Sequence, residues 1–93
     1  MALTLLDINL RKLLKKMEEK TGEKLPRKII SVSLTENTLH IRFTYPKNRE
    51  TDVQPLPLKT PTFLFRDQET GEITALEIID VEEALKELTN TEN

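Results

Sequence analysis

The sequence predicts an α+β fold: a single two-layer domain whose mainly antiparallel sheet of about five strands carries helices on one face, in the order α-β-β-β-β-β-α. Apolar residues recur at three- and four-residue steps near both ends of the chain and alternate with polar residues between them. The chain has 93 residues, 37% of them hydrophobic, with no tryptophan and no cysteine. We therefore expect a small aliphatic core without disulfides.

The first predicted element is an amphipathic helix over residues 4–20. Thr4 and Asp7 resemble a capping box, and Gly22 is a plausible left-handed terminator. Leu5 and Ile8 fall off the apolar stripe, so we expect them to be exposed. The stripe itself consists of Leu3, Leu6, Leu10, Leu13, Leu14 and Met17.

The sheet is predicted over residues 28–79. Alternation on both sides of Glu36-Asn37 indicates a hairpin with a tight turn. Pro55, Pro57 and Pro61 share one parity, which suits an edge strand because their missing N–H groups would all lie along one edge.

The stretch RDQETGEI, residues 66–73, holds three carboxylates around a glycine and could be a cation site or a turn between two strands. A calcium loop needs glycine at its sixth position and a bidentate glutamate at its twelfth. Counting from Asp67, Glu72 and Ile78 occupy those positions. The pattern therefore favours a turn in which Gly71 is left-handed and Asp67 bonds the turn backbone.

A short helix is predicted over residues 81–89, with Asp80 as its N-cap and residues 90–93 as a frayed tail. Alternation predicts that two sets of sheet residues lie on opposite faces. The first is expected to share the core with the helices: Leu39, Ile41, Phe43, Phe63, Phe65, Leu76 and Ile78. The second is expected to form an interaction surface with Leu5 and Ile8: Leu64, Ile73 and Ile79.

Charge is distributed unevenly along a chain whose net charge is only -2. Residues 1–30 hold eight cations against four anions, whereas residues 67–93 hold one cation against nine anions. The basic end could contact a polyanion, border an ordinary core-facing helix, or attract the acidic end. The candidate polyanion contacts are Arg11, Lys12, Lys15, Lys16, Arg27 and Lys28.

Catalytic signals are weak. His40 is the single histidine and lies in the outward phase of its strand, and Glu77 sits between two apolar residues. A small enzyme site around these two residues is one hypothesis, although Arg42 or Arg66 would be an ordinary cross-strand partner for Glu77. Two glycines far apart cannot build a phosphate-binding loop, and no cofactor or metal is predicted.

The segments ISVSLTENTLHIRFTY and FLFRDQETGEITALEIIDVEEAL resemble the short prokaryotic family catalogued as domain of unknown function 2283. The resemblance covers roughly residues 30–88, although residues 1–27 have no counterpart in it, His40 replaces a common aromatic and Ala75 a common glycine. It implies no established reaction. It does imply a partner-binding or antitoxin-like role, because some members are encoded beside small toxin-like proteins.

We therefore expect a small, cytoplasmic, non-catalytic protein-interaction module, acting as a homodimer or as an antitoxin-like binder of another protein. Nucleic-acid binding through the basic helix and a small enzyme site remain the alternatives. No apolar run is long enough to span a bilayer, and the cations near the N-terminus follow the leucines, the reverse of a secretory signal.

Overall fold

The computed structural model describes residues 4–5, 8–50 and 53–90, with the backbone alone at residue 90. The described residues form an α+β fold in the predicted order, with a five-stranded antiparallel sheet and two helices. The elements are α1 (Leu10–Thr21), β1 (Ser31–Thr35), β2 (Thr38–Arg42), β3 (Gln54–Pro55), β4 (Thr62–Arg66), β5 (Ile73–Ile78) and α2 (Val81–Asn90).

The sheet order is β1-β2-β5-β4-β3, and both predicted hairpins are present as β1–β2 and β4–β5. The proline-rich segment supplies β3, a two-residue strand at one edge of the sheet. This edge position confirms the prediction from proline parity, because a proline in a central strand would remove a ladder hydrogen bond. The other edge is β1.

The helices cover one face of the sheet. Leu39, Ile41 and Phe43 are buried there, as predicted, together with Leu13 and Met17 of α1 and Val81 and Leu88 of α2. Leu64 pairs with Leu76 in the register of β4 and β5, and both are fully buried. Each fully buried leucine or isoleucine contributes about 1.5–3 kcal/mol of transfer free energy to this core.

The predicted phase of β4 was wrong. Phe63 and Phe65 were expected in the core and Leu64 on an exposed surface, but Leu64 faces the helices and the phenylalanines are half-buried on the opposite, open face. The reason lies in the register: Leu64 stands opposite Leu76, so the phenylalanines share their face with Ala75 and Glu77.

Ile73 is also buried, so its predicted place on an interaction surface was wrong too. The register shifts between Phe65 and Arg66, where Phe65 pairs with Ala75 but Arg66 pairs with Ile73. The extra residue is Thr74, and a bulge of this kind interrupts the alternation of side chains. It brings Ile73 back to the core face, which alternation alone could not anticipate.

Helix α1 begins at Leu10, six residues later than predicted. Asn9 is the N-cap, and its side chain accepts a hydrogen bond from Lys12 N at 3.1 Å. Ile8, just before the cap, and Leu13 are both buried in the core, which matches a hydrophobic staple. Ile8 is therefore a core residue and not part of an exposed surface, whereas Asp7 of the predicted capping box lies outside the described residues.

The predicted ends at Gly22 and Asp80 are confirmed, whereas α2 runs one residue further than predicted, to Asn90, and residues 91–93 of the predicted tail lie outside the described residues. Gly22 ends α1 with φ of 80° and donates its N–H to Glu18 O. Asp80 caps α2 by accepting from Glu83 N at 3.2 Å. Helices α1 and α2 contact each other, so the basic and acidic ends of the chain are adjacent in the fold.

Candidate binding groove

A groove lies between α1 and the extended segment of residues 25–29. Its volume is about 690 Å³. The lining combines five apolar residues, three cations and one carboxylate: Leu10, Leu14, Leu25, Pro26 and Ile29; Arg11, Lys15 and Arg27; and Glu18. Leu14 and Leu25 are buried while the three cations are exposed, so the groove has an apolar floor and a basic rim.

The chain builds this groove by turning back along α1. Glu18 accepts a hydrogen bond from Leu25 N at 2.6 Å, which holds the segment against the helix. Thr21 supports the turn between them, since its hydroxyl donates to Met17 O at 2.7 Å and accepts from Glu23 N at 3.2 Å. The Glu18 carboxylate is therefore already engaged as part of the wall.

An ion pair fixes the far end of the same turn to the sheet. Arg66 Nη2 of β4 lies 3.0 Å from Glu23 Oε1, and Arg66 Nε donates to Gln54 Oε1 at 2.9 Å. Arg66 thereby joins the turn after α1 to both β3 and β4. This is a correction to the prediction that Arg66 could pair with Glu77.

Three of the six predicted basic residues line the groove. Arg11 and Lys15 are four residues apart on one row of α1 and line the groove with Arg27, whereas Lys28 does not line it. Lys12 and Lys16 occupy the adjacent row.

That adjacent row runs toward Lys20 and the acidic helix α2. The pKa of Glu87 in α2 is lowered. Burial alone would raise this pKa, but three hydrogen bonds, from Lys59 N, Thr60 N and the Thr60 hydroxyl, outweigh burial, and the nearby charge of Lys20 adds to their effect. The acidic end of the chain therefore offsets part of the charge on this row, while the cations at the groove face outward.

The open face of the sheet carries His40 and Glu77 side by side. His40 pairs with Glu77 in the β2–β5 register, and His40 Nδ1 lies 3.7 Å from Glu77 Oε1. The Phe65 ring is 6.2 Å from the His40 ring, centroid to centroid. The predicted pairing of Arg42 with Glu77 is not observed. Arg42 pairs instead with Glu50, and its Nη1 atom lies 3.2 Å from Glu50 Oε2.

The stretch at residues 66–73 is a turn. Gly71 has φ of 77°, and Asp67 accepts from Glu69 N and Thr70 N at 3.0 and 3.1 Å, both as predicted. Asp67 also accepts from Lys47 N and Asn48 N, which links the turn to the loop after β2. Within the described residues, no group of three or more histidine, aspartate or glutamate side chains could hold a metal ion.

Two members of the predicted interaction surface remain exposed. Leu5 is 41% exposed and Ile79 is 40% exposed, whereas Ile8, Leu64 and Ile73 belong to the core. The groove, which contains none of these five residues, is a concave site within the described residues. Sequence reasoning missed it, although Leu25, Pro26 and Ile29 beside cations were a signal for an apolar segment lying against the helix.

No family model, curated protein or solved structure matches this chain. The resemblance of residues 30–88 to domain of unknown function 2283 therefore stays a prediction. In the part of the chain that the structure describes, no helix is both long enough and apolar enough to cross a membrane.

Proposed function

We propose that this chain is a non-catalytic protein-interaction module that binds an acidic, amphipathic segment of a partner protein in the groove between α1 and residues 25–29. The single observation that carries this proposal is the lining of the groove, which joins an apolar floor to a rim containing Arg11, Lys15 and Arg27. A helix laid into such a groove buries its apolar side chains and places its carboxylates against the rim.

The chemistry of the floor favours a peptide over a nucleic acid. Bases bind single-stranded sites by stacking on aromatic rings, and the lining residues include none. Rim ion pairs exposed to solvent contribute only about 0.2–1 kcal/mol each, so apolar burial would provide most of the affinity and the rim would select the sign of charge.

The experiment uses a fluorescein-labelled amphipathic peptide with leucines at helical spacing and glutamates elsewhere. Its binding to the protein is measured by fluorescence anisotropy. A peptide with lysine in place of every glutamate and a labelled single-stranded DNA serve as competing probes. We expect saturable binding of the acidic peptide alone.

Two matched double variants locate the site. Arg11→Glu with Lys15→Glu reverses the row at the groove, and Lys12→Glu with Lys16→Glu reverses the adjacent row by the same charge. We expect the first pair to weaken peptide binding about tenfold and the second to change it by less than about threefold. Equal loss in both variants, or preferential binding of DNA, would overturn the proposal in favour of a diffuse polyanion site.

A further inference from the structure

The two edges of the sheet are protected very differently. At one edge, β3 is two residues long and contains Pro55, with Pro57 and Pro61 close by in sequence. Short strands and prolines discourage further pairing. At the other edge, β1 spans five residues with no proline and no charged side chain, and no strand of the described chain covers its outer side.

The hairpin geometry identifies which backbone groups of β1 are unpaired. Thr35 and Thr38 close a two-residue loop, and in such hairpins the closing residues exchange hydrogen bonds. Hydrogen-bonded pairs then alternate along the strand, so Ser33 bonds toward β2. The N–H and C=O groups of Val32 and Leu34 consequently point away from the sheet.

The side chains of β1 are also only partly covered. Val32 and Leu34 face the helix-covered side, where they pack against the core but remain partly exposed. Ser31, Ser33 and Thr35 are exposed on the open face. An added strand would cover the two apolar side chains and satisfy the four outward backbone groups together.

We propose that the chain forms a homodimer in which β1 pairs antiparallel with β1 of a second copy about a two-fold axis at Ser33, giving one continuous sheet of ten strands. This inference goes beyond the proposed function and does not depend on it. It concerns backbone pairing at β1, whereas the groove is formed by α1 and residues 25–29.

A second copy suits this edge because the register is self-complementary. Val32 would stand opposite Leu34 of the other copy, extending the apolar layer, and Ser31 would stand opposite Thr35 on the open face. Because the strand carries no charge, its own copy brings no like-charge repulsion. The two outward residues of each copy would then exchange four hydrogen bonds across the axis, so no outward group of β1 is left over.

Sedimentation equilibrium of the full chain from about 10 to 500 µM tests the dimer. Wild-type protein should approach twice the 10.8 kDa mass of one chain. Ser33→Lys places two lysines directly opposite each other and should weaken the dimer about fivefold. The matched control Ser31→Lys lies on the same face of the same strand but meets Thr35, so its dissociation constant should match wild type.

Mixing two variants of opposite charge at Ser33 tests directly whether the two Ser33 residues face each other in the dimer. A mixture of Ser33→Lys and Ser33→Glu proteins should recover dimer that neither forms as well alone. Amide exchange provides an independent readout, since Val32 and Leu34 should gain protection with rising concentration while Ser33 is protected throughout. A wild-type monomer at about 500 µM, or equal effects of the Ser31 and Ser33 substitutions, would overturn the proposal.

Discussion

The Asp67 carboxylate accepts hydrogen bonds from both the backbone N–H and the side-chain amide of Asn48, each at 3.0 Å. With Lys47 N, Glu69 N and Thr70 N, one buried carboxylate binds five donors from two different loops. The turn between β4 and β5 and the loop after β2 are therefore held in place by the same side chain. This contact is structural, and it accounts for the acidic stretch that resembled a cation site.

Asp67→Asn should destabilise the protein. The amide Nδ2 cannot accept a hydrogen bond, so some of the donors now satisfied by Asp67 would be left without an acceptor in a buried setting. Urea denaturation at pH 7 measures the change. Glu69→Gln, an exposed change of the same kind in the same turn, should leave the unfolding free energy unchanged. Equal stability of the two variants would contradict the assigned role of Asp67.

The same carboxylate should make stability depend on pH. The hydrogen bond from the Asn48 side chain lowers the pKa of Asp67, burial opposes this shift, and the backbone N–H groups of Thr70, Glu69 and Asn48 reinforce it. The folded pKa lies below the unfolded one, so the stabilisation is complete above the ordinary value of 3.8 and is lost as pH falls toward the folded pKa.

Urea titrations of wild type and Asp67→Asn across this range provide the measurement. The stability difference between them should be constant near neutral pH and should shrink as pH falls below the ordinary aspartate pKa. A difference that grows on acidification would show the opposite sign of the shift and would refute the hydrogen-bond assignment.

Glu36→Gly should stabilise the protein by about 0.5–1 kcal/mol. Glu36 has φ of 56° in the turn between β1 and β2, a left-handed conformation that costs energy for a residue with a Cβ. Thermal denaturation reports the gain. Glu36→Ala is the control, because it removes the same carboxylate while keeping the Cβ, and it should give no such increase. Stabilisation by alanine equal to that by glycine would assign the effect to charge instead.

Leu64→Ala should cost about 2–5 kcal/mol of unfolding free energy, since it opens a cavity beneath the helices. Phe65→Ala removes a larger side chain but one that is half-buried on the open face, so its cost should be smaller. Chemical denaturation of both variants decides which residue faces the core. A larger loss for Phe65 than for Leu64 would restore the phase predicted from the sequence.

The elements of this fold follow from local signals. Alternation predicts the two hairpins, proline parity predicts the β3 edge, and Asp80 and Gly22 predict helix ends. Phase was harder to predict, because alternation around Phe63, Leu64 and Phe65 is compatible with either face. The large aromatic side chains of Phe63 and Phe65 were expected on the core face, which was wrong. The face that each residue of β4 takes is determined by its pairing with β5.

Long-range contacts explain the remaining differences. The bulge at Thr74 changes the face of Ile73, and only the register with β4 reveals it. The start of α1 was predicted at Thr4, whereas the cap is Asn9, and Ile8 and Leu13 on either side of that cap are both buried in the core. The groove depends on the Glu18 contact with Leu25 N, which a residue pattern along α1 alone cannot show.

Chemical-shift mapping of amide resonances during titration with the acidic amphipathic peptide tests the groove most directly. If the groove binds the peptide, the largest shifts should fall on Arg11, Lys15, Arg27 and Ile29, with little change along β2 or at Lys12. Shifts centred on Lys12 and Lys16, or on the open face around His40, would contradict the groove as the binding site.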